Sequence, residues 1–128
     1  MTELRTPLSK VKGHGASKSG TGHFWMQRLT SLALIPLVIW LNFSVALLPN
    51  MDHEAIQHWL RNPFNAAMMV LVFIAGFYHM KLGLQVVIED YVSDHARRTT
   101  MIIGVTFLSA LFCVVGVLGV VRIIASGA

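Results

Sequence analysis

Acidic residues are scarce in this chain: Asp and Glu total 6 in 128 residues, against 10 Lys and Arg. Charged residues of both signs make up 12% of the sequence, about half the share of a soluble domain. There is one cysteine, Cys113, so no disulfide can form within the chain and no CxxC pair exists. It sits in an apolar run and reads as a small thiol in a helix. No Walker motif, dinucleotide fingerprint or nucleophile elbow appears, and no residue is assigned a catalytic role. Proline is sparse too, and of Pro7, Pro36, Pro49 and Pro63 only Pro36 falls inside an apolar run. What fills the chain instead is apolar: 55% hydrophobic residues and a mean hydropathy of +0.63. A soluble fold of this size cannot hide that much apolar surface. The composition implies one membrane-embedded domain that needs partner helices.

The net charge of +4 comes largely from the first thirty residues. Joined to hydrophobic spans, a basic tail points to a membrane face, anionic lipid or an acidic partner, and not to nucleic acid. Residues 1–22 are rich in Gly, Ser, Thr and Lys with no apolar period, and are expected to form a flexible arm that orders on a partner. They have neither the order of a signal peptide nor the Arg-rich amphipathic pattern of a transit peptide. Residues 23–128 read as an all-α membrane domain of three transmembrane helices, with spans at about 26–48, 63–88 and 100–124. Pro36 should loosen the first span locally, and Pro49 and Asn50 should end it. In the connection 51–62, Ile56, Trp59 and Leu60 fall at helical spacing, with Asp52 as N-cap and Trp59 as an interfacial anchor. Pro63 suits the first position of the second span. In the third, Ser109, Cys113 and Gly116 form a small-residue stripe suited to close packing.

Lysine and arginine set the orientation. Arg5, Lys10, Lys12 and Lys18 precede the first span, and Arg97 and Arg98 lie between the second and third. Only Arg61 and Arg122 fall on the other side. The positive-inside rule puts the N-terminus inside and the C-terminus outside.

The second span carries His79 near the middle of the bilayer, where an ionisable side chain is costly and suggests function. The plain alternative is a neutral histidine hydrogen-bonded across a helix interface. At 100° per residue, Gly76, His79, Gly83 and Asp90 fall within about 60° of one another. An imidazole between two glycines suits a flat macrocycle lying beside the helix, with neutral nitrogen on haem iron. The competing explanation is tight helix packing through the glycines, which would not need the imidazole. The same face ends in Asp90 with Tyr91 beside it, about 16 Å along the axis from His79. Tyr91 could donate to a quinone carbonyl with Asp90 supporting it, or the pair could be an ordinary interfacial belt. Arg28 and Lys81 lie toward the same membrane side, and Arg28 could pair with a haem propionate or simply snorkel. His53 and His58 are off the spacing for a metal on one helix face. His14, His23 and His95 sit in polar segments, with His23 near the site.

The run His79-Met80-Lys81-Leu82-Gly83-Leu84-Gln85-Val86-Val87-Ile88-Glu89-Asp90-Tyr91-Val92 resembles the signature of the hydrophobic D-type membrane anchor of succinate dehydrogenase. That pattern is a histidine, a glycine four later and an Asp-Tyr pair eleven and twelve later. His23-Phe24-Trp25-Met26-Gln27-Arg28-Leu29-Thr30 resembles the start of that family's first helix. The resemblance implies a subunit that is not catalytic alone, in a complex with a C-type cytochrome b anchor, an iron–sulfur subunit and a flavoprotein. It also implies that His79 is an axial ligand of haem b shared with the C-type anchor, and that Gly76 and Gly83 clear space for it. Tyr91 and Asp90 would serve ubiquinone, and Arg28 a propionate or the quinone pocket. The expected location is the bacterial cytoplasmic membrane, in preference to the mitochondrial inner membrane. A haem-free structural anchor, or a transporter or proton-relay subunit using His79, are the competing functions.

Overall fold

The computed structural model describes residues 6–8 and 18–126. It is all-helical across the described residues, with α1 at Lys18–Ala46, α2 at His53–Arg61, α3 at Pro63–Tyr91 and α4 at His95–Ala125. Three of these helices, α1, α3 and α4, are long and apolar enough to cross a membrane. The amphipathic α2 is not.

The helices run past the apolar stretches that announce them. The first begins at Lys18, inside the segment assigned to the arm, and stops at Ala46 instead of Leu48. The rest of the arm lies outside the described residues, apart from 6–8. The second span extends three residues beyond Ile88, and the third begins five before Thr100. Hydropathy marks what the hydrocarbon contacts. A helix once nucleated instead gains a hydrogen bond for each residue added, until a cap intervenes. Asp94 is such a cap, its carboxylate accepting from Arg97 N at 2.9 Å. Asp52 does the same for α2, accepting from Ala55 N at 2.8 Å. Pro63 occupies the first turn of α3, and Asn62 before it accepts from Phe64 N at 2.9 Å. Pro36 lies within α1 without ending it, although its missing N–H leaves the Leu32 carbonyl without its usual donor.

The spans form an open row. α3 packs against α1 on one flank and α4 on the other, while α1 and α4 do not meet. The α3–α4 seam is built on the small-residue stripe: Ser109 is buried, and a Cβ at Gly116 would come within 2.8 Å of the Phe73 ring. Phe73, Phe77 and Phe112 stack along the seam with centroids 6.2 and 6.3 Å apart. At the far end α2 lies across α3 and α4. Its Trp59 stacks on Trp40 of α1 at 5.5 Å, and Phe64 meets Trp40 edge-on at 6.3 Å. Leu60, Ala66 and Val120 form the small core beneath.

Candidate functional site

His79 projects from α3 toward α1. Its Nδ1 lies 3.0 Å from the Thr30 hydroxyl, a contact between residues 49 apart in sequence. Thr30 is buried at 8% exposure and His79 is half-buried. The Thr30 oxygen also lies 2.8 Å from the Met26 carbonyl and 3.1 Å from that of Gln27. Among the described residues His79 Nε2 has no hydrogen-bond partner. Thr30 was not singled out in the sequence, where it is one hydroxyl in an apolar helix with nothing to link it to His79.

With His79 directed at α1, helix geometry orders the rest of α3. Gly76 and Gly83 lie about 60° and 40° round the helix from His79, and the α4-facing Phe73 about 120°. The glycines therefore occupy the sector between the two flanking helices. A Cβ built on either meets nothing within 4 Å. Among the described residues they are not packing glycines, unlike Gly116, which the Phe73 ring covers. The open sector, the two bare positions and the uncommitted Nε2 fit a flat, iron-bearing macrocycle held from one side. No His, Cys, Asp or Glu cluster suited to a metal ion by itself is present among the described residues.

The other expected site residues are spread more widely. Asp90 falls in the same sector as the glycines, exposed at the end of α3. Tyr91, the last residue of α3, is 86% exposed and touches little of its own chain. Arg28 is exposed, and its guanidinium stacks 5.0 Å from the centre of the Phe24 ring. It stands about 160° round α1 from Thr30, so it is not joined to His79 within this chain. Lys81 lines a groove on the opposite face of the row with Phe77, Tyr78, Ser109 and Cys113. Its sharing a membrane side with Arg28 does not make the two neighbours. His23 is on the Thr30 face of α1, about two turns toward the N-terminus. Its Nε2 is buried without a hydrogen-bond partner. His53 Nε2 is 2.9 Å from the Gln57 amide nitrogen, a local pair on α2.

The profile of the family described as succinate dehydrogenase/fumarate reductase transmembrane subunit matches residues 2–116. The succinate dehydrogenase hydrophobic membrane anchor subunit of Rickettsia conorii is 36% identical, over 93% of this chain and 92% of its own length. That of Rickettsia bellii is 36% identical over 92% of this chain and 94% of its own. The Paracoccus denitrificans subunit of the same name is 28% identical over 80% and 79%. No solved structure gives a significant match.

Proposed function

The chain belongs to the succinate dehydrogenase/fumarate reductase transmembrane subunit family, and from that premise we propose that it helps to hold a haem b and a ubiquinone site while anchoring a succinate dehydrogenase. The flavoprotein and iron–sulfur subunits would sit on the side where the basic N-terminal segment lies, which the positive-inside rule makes the cytoplasmic side. A second, C-type anchor would close the open row and share in holding the haem. The membrane is then the bacterial cytoplasmic membrane.

The observation that carries the haem reading is the environment of His79. Its Nδ1 is held by Thr30, its Nε2 has no partner among the described residues, and the two glycines beside it leave α3 bare. Packing among the described residues does not account for these two glycines, because a Cβ on either would meet nothing within 4 Å. His79 Nε2 would hold the haem iron, and Gly76 and Gly83 would leave room for the ring beside the helix. Haem b, when bound, supplies a one-electron store beside the quinone-reducing path. Arg28 would meet a propionate or the rim of the quinone pocket only on a face of α1 directed away from His79, so either role draws on a neighbouring subunit.

At the inner end of α3, Tyr91 would donate its phenol proton to a quinone carbonyl, and the Asp90 carboxylate would orient the phenol or accept protons. Both side chains are exposed in the isolated chain, which suits a pocket with walls from more than one subunit. Substrate oxidation happens elsewhere, and this chain contributes binding and orientation at the membrane end.

Replacing His79 by Ala tests the haem assignment. We expect the assembled complex to lose its low-spin haem b spectrum while the chain still inserts. An unchanged spectrum and potential in that variant would exclude His79 as a ligand.

A further inference from the structure

The Thr30 hydroxyl is within hydrogen-bonding distance of three groups: the Met26 carbonyl at 2.8 Å, the Gln27 carbonyl at 3.1 Å and His79 Nδ1 at 3.0 Å. It has one proton to give, and its oxygen can also accept. If the proton went to Nδ1, both carbonyl contacts would be idle and the imidazole proton would sit on Nε2. If it goes to the Met26 carbonyl, the oxygen is left to accept from Nδ1–H. A threonine inside a helix commonly bonds the carbonyl four residues back, and here that is the shortest of the three contacts. The second arrangement uses the contacts on both sides of the hydroxyl. Thr30 is buried at 8% exposure, so water has little access to reverse the choice.

We infer that Thr30 is a positioning residue that holds His79 in the Nδ1–H tautomer, presenting the Nε2 lone pair to a metal centre. The inference rests on the haem reading above and adds what fixes the ligand. The second ring nitrogen of a ligating histidine normally donates to an outer partner, which sets the ring plane and makes the ligand more basic. A hydroxyl whose own proton is engaged by a helix carbonyl serves as that acceptor. Because the carbonyls and the hydroxyl share one turn of α1, the ring orientation is tied to the α1–α3 contact. A more basic ligand favours the ferric state, so loss of the bond should raise the haem midpoint potential and weaken haem retention.

Thr30→Val keeps the branched shape and burial while removing the hydroxyl, and Thr30→Ser keeps the hydroxyl. Both are compared with wild type and His79→Ala in the assembled, purified complex, by haem content per flavin and by optical redox titration. We expect Thr30→Val to raise the midpoint potential and to release haem about tenfold more readily, a usual cost of losing such an outer partner. Thr30→Ser should return both toward wild type. If Thr30→Val keeps wild-type potential and haem content while His79→Ala loses haem, the positioning role is overturned and the ligand assignment stands. A serine variant that behaves like valine overturns it as well, because shape and not the hydroxyl then matters. Should His79→Ala retain the low-spin spectrum, the ligand assignment falls and the tautomer inference with it. Thr30→Ala, which lacks the hydroxyl without adding a methyl beside the carbonyls, is read on the same scale if the valine variant assembles poorly.

Discussion

In the proposed quinone site, Tyr91 would supply a single donor hydroxyl. It ends α3 and is 86% exposed, and its oxygen has no hydrogen-bond partner among the described residues. If it donates to a quinone carbonyl in a desolvated pocket, Tyr91→Phe removes one hydrogen bond and leaves a buried acceptor unpaired. Such a loss costs about 0.5–1.5 kcal/mol, and more where the acceptor stays dry. Quinone reductase activity should then fall by about threefold to a hundredfold. Succinate oxidation by an artificial acceptor that draws electrons from the soluble subunits should be spared. The measurement is the ratio of the two activities in an assembled Tyr91→Phe complex at limiting quinone, and a wild-type ratio would make Tyr91 an interfacial anchor only. The sequence motif led to His79, Asp90 and Tyr91, because spacing along one helix is local information. Thr30 was out of its reach: the contact joins residues 49 apart, and no pattern in α1 distinguishes this hydroxyl from that of Ser31.

The glycines separate the roles of the helices. Gly116 belongs to the α3–α4 seam, where an added methyl would reach within 2.8 Å of Phe73 and something must shift. Overpacking of this kind typically costs about 1–3 kcal/mol. Gly83 belongs to the open sector, where the same methyl meets none of the described residues within 4 Å. Gly116→Ala should therefore lower the thermal stability of the assembled complex with its haem spectrum largely retained. Gly83→Ala should do the reverse, perturbing haem content or the haem absorption band. Melting curves and spectra of the two variants, taken side by side, check this. Equal behaviour of the pair would mean that Gly83 is a packing glycine against the partner anchor. The caps belong to this scale as well. Asp52, Asn62 and Asp94 each accept from a backbone N–H in the first turn of a helix, and each such cap is worth about 1 kcal/mol. Asp94 is why α4 starts at His95, before the hydrocarbon does.

The whole molecule is unfinished without its neighbours. In an 18-residue apolar window of each candidate span no more than 11% is buried among the described residues, and α1 and α4 do not touch. A row of three helices exposes two faces, and the face carrying Gly76, Gly83 and Asp90 is the one proposed to receive haem and the second anchor. The opposite face carries Lys81 in its groove. Orientation is a property of this scale. Lys and Arg concentrate before α1 and between α3 and α4, at Arg97 and Arg98. We expect a C-terminal alkaline phosphatase fusion to be active in bacteria and an N-terminal one inactive. A well-expressed but inactive C-terminal fusion would reverse the orientation, and with it the side assigned to Tyr91.

Composition, hydropathy and local spacing were enough to determine that this chain crosses a membrane three times, that a short amphipathic helix follows the first crossing, and that His79 shares a helix face with Gly76, Gly83 and Asp90. These follow from the backbone's need to satisfy its own hydrogen bonds in hydrocarbon and from 100° per residue. Which side of that face meets α1 was decided only by tertiary structure. So was the contrast between Gly116, which Phe73 covers, and Gly76 and Gly83, which no other described side chain approaches. Arg28 and Thr30 are two residues apart, yet one turns outward and the other holds the imidazole. Sequence spacing orders residues around one helix axis, but it carries no information on how that helix is rotated against its neighbours, and that rotation selects the contacts.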